Sequence, residues 1–385
     1  MPPDSLPSSG LVKPSCVQRS IGVAVAPFLE GAVAYDAVTD TIHRLGPIAS
    51  YLLMEDTPTG IDHLIADVAT EWSMAPGDVA AHVAAGIDSM RSLGLLDRQE
   101  PYWVPDPVRG PRGDRQGRHV GASQVIHDRS VAFCSSDRHL LDEIDAHLGT
   151  GVSGRSSDVV FNVEPGPGDR VQLSAVEEWD FSSRENFFGQ LIGMLNHFAV
   201  RSNTLAVLHA GAVRTPSGEV VAVSGESASG KSTLVAALIQ RGCDYLGDEM
   251  IGLRSTPTEA LPYPKPLELD AGSCKALGIR PESQFCVRPA ELRSDVTVLS
   301  AAVGPIDRII IPRYLAGHAA EQVQLDPEDA VKVLLGHTVN LQRVREVGLR
   351  AVCELAESVP VTRVTHGDSV ALAEKLLAEH GVSTR

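Results

Sequence analysis

The sequence of 385 residues has few aromatic side chains, little positive charge, no cysteine pair and no long apolar run. Phe, Trp and Tyr make up only 4% of it, and 49 acidic residues outnumber 33 Lys and Arg residues, which gives a formal charge of -16. A field of this sign repels phosphate backbones and anionic lipid, so a nucleic-acid or membrane-surface role would need a local basic patch. The sequence has no such patch, and we therefore expect no nucleic-acid partner and no membrane partner.

The six cysteines are spread over the whole chain, with no CxxC pair and no Cys/His cluster. This spacing argues against a disulfide scaffold and against a zinc site. Apolar runs such as residues 21–29 are far shorter than the roughly 18–20 residues that span a bilayer. The N-terminal stretch MPPDSLPSSG also lacks the basic-then-apolar pattern of a signal peptide. We expect a cytoplasmic protein with reduced thiols.

A stretch rich in Pro, Gly and Arg at residues 99–118 interrupts the apolar periodicity of the chain. This composition predicts a linker between a small domain at 16–98 and a larger domain at 119–385. In the small domain, short alternating runs within 20–45 predict an antiparallel sheet. Three helices with helical spacing of apolar residues are then predicted at 47–54, 60–72 and 76–93.

After residue 118, strand-like and helix-like segments alternate, which is typical of a buried sheet packed by helices in an α/β domain. Strands are predicted at 205–213, 219–224, 243–246 and 306–312. Helices are predicted at 138–148, 184–200, 231–241, 327–336, 341–357 and 368–380.

The strongest motif in the chain is GESASGKS at residues 225–232, which matches GxxxxGK[ST] in full between a predicted strand and a predicted helix. The two glycines let the backbone curl so that successive N–H groups face phosphates at a helix N-terminus. Lys231 adds a charge near the β and γ phosphates, and the Ser232 hydroxyl is placed to bind Mg²⁺. The alternative is a glycine-rich turn with a surface lysine. The predicted ATP-binding residues are Gly225, Glu226, Ser227, Ala228, Ser229, Gly230, Lys231, Ser232 and Thr233.

The segments HAGAV at 209–213, GESASGKST at 225–233 and RGCDYLGDE at 241–249 resemble, in order and spacing, the catalytic domain of HPr kinase/phosphorylase. They are more similar still to kinase-like relatives of that enzyme in peptide-modification gene clusters, including lasso-peptide kinases. The resemblance implies that Asp248 is the base for an acceptor hydroxyl and that Asp248 and Glu249 bind Mg²⁺. It also implies that His209 lies near this acidic pair, and the predicted catalytic residues are therefore Asp248, His209 and Lys231.

Other readings of these residues stay open. The acidic pair could be a solvated loop, and His209 could be a core histidine. Lys265, in the segment YPKPLEL, could reach a phosphate, but exposure between its flanking prolines is the expected default. Glu268 could match a family glutamate, although the glycine-rich continuation of that family is missing. Arg308 and Arg313 could face the transferred phosphate or form ion pairs.

Residues 16–98 resemble the PqqD-type domain that recognises precursor peptides, through AYDAVTDTIHRLGPIASYLL at 34–53, IDHLIADVATEW at 61–72 and MRSLGLLDR at 90–98. The alternative is an unrelated winged-helix domain that binds DNA. Residues 61–90 carry five acidic residues and no Lys or Arg, a charge that DNA would repel. Peptide binding is therefore the favoured interpretation.

Together these patterns predict a P-loop kinase domain of the HPr kinase type behind a small winged-helix-like α+β domain. The predicted activity is ATP- and Mg²⁺-dependent phosphorylation of a Ser or Thr hydroxyl on a ribosomally made precursor peptide, bound through its leader segment. Two alternatives remain: a phosphopeptide phosphorylase or hydrolase, and an ATP-gated peptide-binding module without phosphoryl transfer. The sequence leaves a homo-oligomer open.

Overall fold

The chain divides into two compact units, Met1–Trp103 and Val104–Arg385. The computed structural model describes residues 16–54, 57–99, 117–149, 151, 157–174, 178–202, 204–254, 259–280 and 286–379. The predicted linker at 99–118 lies outside the described residues except for Gln99, Gly117 and Arg118. The predicted bounds of the two domains therefore stay predictions.

The smaller unit is a three-stranded antiparallel sheet followed by helices, which confirms the strands predicted within 20–45 and the three helices predicted after them. The strand order is β2-β3-β4, so β4 lies at an edge of the sheet, and β1 pairs separately with β5. Buried side chains such as Val25, Leu53 and Val83 form the core between sheet and helices. The elements are β1 Cys16–Val17, β2 Val23–Phe28, β3 Gly31–Asp36, β4 Thr41–Leu45, α1 Pro47–Met54, β5 Thr59–Gly60, α2 Ile61–Glu71 and α3 Pro76–Ser92.

The larger unit begins with a six-stranded sheet that was not predicted from the sequence. Its strands are short, and only β8 and β9 are parallel neighbours. The two predicted helices, α4 and α5, are confirmed within this part of the chain. The elements are β6 His119–Val120, β7 Gln124–Ile126, β8 Arg129–Ser135, α4 Arg138–Leu148, β9 Val159–Pro165, β10 Val171–Ser174, β11 Glu178–Phe181 and α5 Arg184–Val200.

A second six-stranded sheet follows, in the order β15-β13-β14-β18-β20-β19, together with a three-stranded sheet β12-β16-β17. The elements are β12 Ala206–Leu208, β13 Ala210–Arg214, β14 Val220–Ser224, α6 Lys231–Gln240, β15 Asp244–Gly247, β16 Ile251–Arg254, β17 Glu259–Leu261, α7 Ala271–Leu277, α8 Pro289–Leu292, β18 Arg308–Tyr314, β19 Glu321–Gln324, α9 Pro327–Gly336, α10 Leu341–Ser358, β20 Val361–His366 and α11 Ser369–Ala378.

The direction of the strands in this second sheet decides where functional groups meet. Strand β13 is antiparallel to both β14 and β15, whereas β14, β18 and β20 are parallel neighbours. Strands β14, β15, β18 and β20 therefore run in one direction, and their carboxyl ends lie at one edge of the sheet. Helix α6 packs against this sheet with every residue from Leu234 to Ile239 at most 1% exposed, as expected for a helix that is apolar on all sides.

One prediction in this region was wrong. Residues 205–213 do not form a single strand, because the chain switches at His209 from β12 in the three-stranded sheet to β13 in the six-stranded sheet. An apolar run gives no sign of such a switch, since both halves are equally buried. Among the described residues, no helix combines the length and the apolar character needed to cross a membrane.

Candidate active site

The predicted phosphate loop connects β14 to α6 at the carboxyl edge of the second sheet. Gly230 immediately precedes the helix with φ 93°, and Ala228 has φ 62°. A left-handed conformation favours glycine, which explains why a glycine stands directly before Lys231. The loop therefore ends at a helix N-terminus, whose first N–H groups have no partners within the helix and can bind an anion.

Lys231 is held inside this loop and is only 6% exposed. Its ammonium Nζ donates to the Glu226 carbonyl over 2.7 Å. Burial lowers the pKa of Lys231, and the nearby carboxylates of Asp248, Glu249 and Glu226 oppose that shift. The ammonium thus lies within electrostatic reach of both the loop and the acidic pair.

Asp248 follows β15 directly, and its side chain is almost completely buried, with 1% exposure. Its Oδ1 atom has no hydrogen-bond partner among the described residues. A Cβ atom placed on Gly211 would lie 3.0 Å from this oxygen, so the glycine leaves room beside the carboxylate. A buried carboxylate oxygen without a partner is costly. Such an atom at the phosphate-loop edge fits a group that receives a proton or binds a cation once substrate is present.

Glu249, the second acidic residue, pairs with a buried lysine. Its Oε2 atom accepts a hydrogen bond from Asn196 Nδ2 at 2.8 Å and lies 3.1 Å from Lys265 Nζ. The backbone at Glu249 has φ 77°, an uncommon conformation for a residue with a side chain. The ion pair with Lys265 and the hydrogen bond from the Asn196 side chain hold Glu249 in that conformation.

The expectation that Lys265 would be exposed was wrong, because its side chain is only 1% exposed. The flanking prolines do not lift the segment into solvent, since Tyr263 and Leu267 on either side are buried in the core. The main chain adds two contacts: Tyr245 Oη donates to the Lys265 carbonyl at 2.6 Å, and Lys265 Nζ donates to the Pro266 carbonyl at 3.2 Å. A buried ammonium needs a partner, and Glu249 supplies it.

Glu268 follows Leu267 in the same segment and is exposed. Desolvation raises the pKa of Glu268, the charge of Lys265 opposes the shift, and the carboxylates of Glu249 and Asp248 add to it. Glu268 is therefore close enough to the acidic pair to respond to its charge.

His209 lies between β12 and β13 and is partly buried. Its main-chain N–H donates to the His337 carbonyl at 2.7 Å. Burial and the Lys231 charge lower the pKa of His209, and the carboxylates of Glu249 and Asp248 oppose this. His209 is thus close enough to Lys231 and to the acidic pair to respond to their charges.

His337 also belongs to this cluster and was missed by the sequence analysis. Its Nδ1 atom lies 3.0 Å from the hydroxyl of Ser224, the last residue of the strand before the phosphate loop. Burial lowers the pKa of His337 to about 4, and the charges of His209 and Lys231 add to this shift, whereas the charge of Glu226 opposes it. The residue follows α9 with no motif around it, so only the tertiary fold brings it here.

Arg308 and Arg313, for which the sequence left two interpretations, lie at the two ends of β18. Arg308 begins β18, at the opposite end of the strand from the phosphate loop, where its Nε lies 3.2 Å from Glu219 Oε1. The ion-pairing interpretation of Arg308 is thus the one that fits. Arg313 is exposed near the carboxyl end of the same strand.

The residues present fit a magnesium ion held mainly by its substrate. Within the described ranges, no group of three or more His, Cys, Asp and Glu side chains could hold a metal by itself. Mg²⁺ at nucleotide sites takes only one or two protein ligands and completes its shell with phosphate oxygens and water. The Ser232 hydroxyl and the unpartnered Asp248 oxygen suit that role, whereas the Glu249 carboxylate is already paired with Lys265.

No family model and no curated protein matches this chain. Among solved structures, the HPr(Ser) kinase/phosphatase from Coxiella burnetii is similar to it with a TM-score of 0.26 and 14% identity, over 46% of this chain and 90% of that chain. A TM-score of this size establishes neither a shared fold nor a shared activity, so the residues of the site itself must carry the functional conclusion.

Proposed function

We propose that this chain is an ATP-dependent kinase that phosphorylates a Ser or Thr hydroxyl of a ribosomally made peptide, captured through the N-terminal unit. The observation that carries the proposal is the buried, unpartnered Oδ1 of Asp248 at the same sheet edge as the phosphate loop. A phosphate-binding loop alone would suit any nucleotide-binding protein. The additional buried carboxylate supplies a proton acceptor next to it.

In the proposed reaction, the loop amides and Lys231 hold the triphosphate, and Asp248 accepts the proton of the attacking hydroxyl as the γ-phosphoryl group is transferred in line. Bound Mg²⁺, held by Ser232 and Asp248, would neutralise charge on the β and γ phosphates. Lys231 offsets the negative charge that grows on the leaving oxygens, because its ammonium is pre-placed within the loop. The Glu249–Lys265 pair fixes the turn that presents Asp248.

Peptide capture by the smaller unit is supported by its free sheet edge. Strand β4 pairs with β3 on one side only among the described residues, and Ile42 on that strand is 38% exposed. An extended leader segment could add to this edge through main-chain hydrogen bonds, while side-chain pockets give specificity. The acidic helices α2 and α3 disfavour DNA as the partner, as argued from the sequence.

The test is incubation of the purified full-length chain with ATP and Mg²⁺, in separate reactions with a synthetic library of Ser- and Thr-containing peptides and with the phosphorylated forms of the same peptides, followed by mass spectrometry and a phosphate assay. We expect phosphopeptide. Inorganic phosphate released from phosphopeptide, without phosphorylation of unmodified peptide, would favour a hydrolase. Peptide binding that depends on ATP but yields no product would favour the binding-module alternative.

A further inference from the structure

The phosphate loop has chemically different surroundings on its two sides. Neighbouring strands in a sheet are about 4.8 Å apart, so the strand that carries the acidic pair, β15, lies about 10 Å to one side of β14, and β20 lies about 10 Å to the other. A nucleoside triphosphate is linear, with the transferred phosphate at one end and the nucleoside at the other. If the γ phosphate faces Asp248, the nucleoside extends toward the carboxyl ends of β18 and β20.

An aromatic side chain lies at that position. Tyr314 ends β18 with 51% exposure, and its main-chain N–H donates to the Ser229 carbonyl of the phosphate loop at 3.2 Å. A Cβ atom placed on Gly230 would lie 3.5 Å from Tyr314 Cβ, which shows how closely the residue adjoins the loop. The next residue, Leu315, is 44% exposed. The loop is thus bordered by an accessible aromatic and apolar surface of the kind on which bases stack.

A buried imidazole packs against this surface, and its hydrogen-bonding capacity is only partly used. His366 ends β20 and is 1% exposed, and apart from the Asp368 main chain its ring nitrogens have no hydrogen-bond partner among the described residues. Its Nε2 would be 3.7 Å from a Cβ atom on Gly230, and its ring packs edge-on to Tyr314 with centroids 5.8 Å apart. Burial lowers the pKa of His366, and the backbone and carboxylate of Asp368 oppose the shift. A neutral imidazole offers one donor and one acceptor.

We propose that Tyr314 and His366 form the nucleoside subsite of this protein, in which Tyr314 stacks on the base and His366 hydrogen-bonds to the ribose. The proposal rests on the proposed use of ATP and adds the residues that distinguish a nucleotide from a bare polyphosphate. Its main support is the exposed ring of Tyr314 directly beside the phosphate loop. His366 adds a buried ring that keeps at least one nitrogen without a partner among the described residues, whereas an ordinary core histidine is expected to have its ring nitrogens satisfied.

The experiment measures Kd values for ATP and for inorganic tripolyphosphate by calorimetry on the full-length chain. Wild type should bind ATP more tightly than tripolyphosphate. Tyr314→Ala should weaken ATP binding about 5- to 100-fold, the range observed for loss of one base–aromatic stack, and leave tripolyphosphate within about twofold. Tyr314→Leu should behave in the same way without removing the apolar volume, and Tyr314→Phe should keep the wild-type affinity. His366→Phe keeps a ring but removes both nitrogens, so it should also weaken ATP selectively.

Val323→Ala is the matched control, because Val323 is equally exposed, at 51%, on the edge strand β19 of the same sheet. It should change neither affinity. Equal weakening of ATP and tripolyphosphate in the Tyr314 variants, unchanged ATP affinity, or no wild-type preference for ATP would each overturn the subsite. These outcomes are separable from the kinase proposal: selective ATP binding without phosphoryl transfer overturns the kinase alone, and transfer without nucleoside selectivity overturns the subsite alone.

Discussion

Replacing Lys265 by Met tests whether the buried ion pair beside the acidic residues has the energetic role that its geometry implies. Met is similar in length but uncharged, so the variant removes the ammonium and leaves Glu249 without its partner. Lys265 Nζ lies 3.1 Å from Glu249 Oε2, and the two side chains are 1% and 29% exposed. Removal of one partner from a fully buried pair costs about 3–5 kcal/mol. Because Glu249 retains some contact with water, we expect the low end, about 3 kcal/mol.

Urea denaturation of Lys265→Met, Glu249→Gln and the double variant gives the coupling between the two side chains. The double variant should be less destabilised than the sum of the single variants, with a coupling free energy of about 1–3 kcal/mol. Glu249→Gln alone should cost at least as much, since it leaves the more buried partner, the Lys265 ammonium, without its counter-charge, although the Gln amide can still accept from Asn196. The matched control is Arg254→Met, because Arg254 lies 2.9 Å from Glu259 but is 50% exposed.

An exposed pair of that kind contributes at most about 1 kcal/mol, so the control should be nearly as stable as wild type. The reasoning would be refuted if Lys265→Met cost no more than Arg254→Met, or if the coupling between Lys265 and Glu249 were close to zero. Lys265 would then be solvated in solution, and the conformation of Glu249 would need another cause.

Three further predictions concern charge, pH and domain roles. Lys231→Ala should lower kcat about 100- to 1,000-fold while raising the Kd for ATP much less, because the charge matters most in the transition state. Lys332→Ala, at an exposed position of α9, is the control, and unchanged turnover in Lys231→Ala would contradict the transfer mechanism. His127 is buried beside Ser202, 2.7 Å from Nδ1 to Oγ, and burial lowers its pKa to about 4. As the pH falls below 6.5, the unfolded chain therefore binds a proton before the folded protein does, so the free energy of unfolding should decrease on acidification. In urea denaturation, His127→Asn should make the decrease in the free energy of unfolding between pH 7.5 and 5 smaller by about 2 kcal/mol. His119→Asn, at an exposed position, should leave that decrease unchanged. A chain starting at His119 should keep ATP binding but lose its preference for leader-bearing over leaderless peptide at sub-saturating concentration; equal efficiency with full-length protein would rule out peptide recognition by the smaller unit.

The features that the sequence predicted well are those with a local cause. The phosphate loop follows from its own glycines, and the helix at 231–240 begins where the motif requires. Amphipathic periodicity placed most helices within a residue or two of their observed ends, because the apolar residues that form the buried face of a helix are only three or four positions apart in the sequence. Asp248 was named through the family resemblance, as the first of two acidic residues at the end of the strand after the loop helix, and its role stays a prediction.

The features that were missed depend on contacts between distant parts of the chain. His337 lies 113 residues beyond its neighbour Ser224, which precedes the phosphate loop, and His366 lies 136 residues beyond its neighbour Gly230 in the loop. Neither histidine stands in a motif. Lys265 was assigned to the surface because prolines usually flank exposed turns. Only the tertiary fold shows that Tyr263 and Leu267 draw the lysine inward toward Glu249. The change of sheet at His209 likewise depends on contacts between distant parts of the chain, since β12 and β13 come from one apolar run but pair in two different sheets.

The central claim is that Asp248 accepts the hydroxyl proton during transfer from ATP to peptide. The direct measurement uses ATP labelled with ¹⁸O in the γ-phosphoryl group and compares wild type with Asp248→Asn, following label in the peptide by mass spectrometry and ATP affinity by calorimetry. Asn keeps the shape of the side chain but cannot take up a proton, so we expect label in the wild-type peptide, a rate about 100- to 10,000-fold lower in the variant, and ATP binding that persists. Full transfer by Asp248→Asn, or wild-type label found only in inorganic phosphate, would contradict the account.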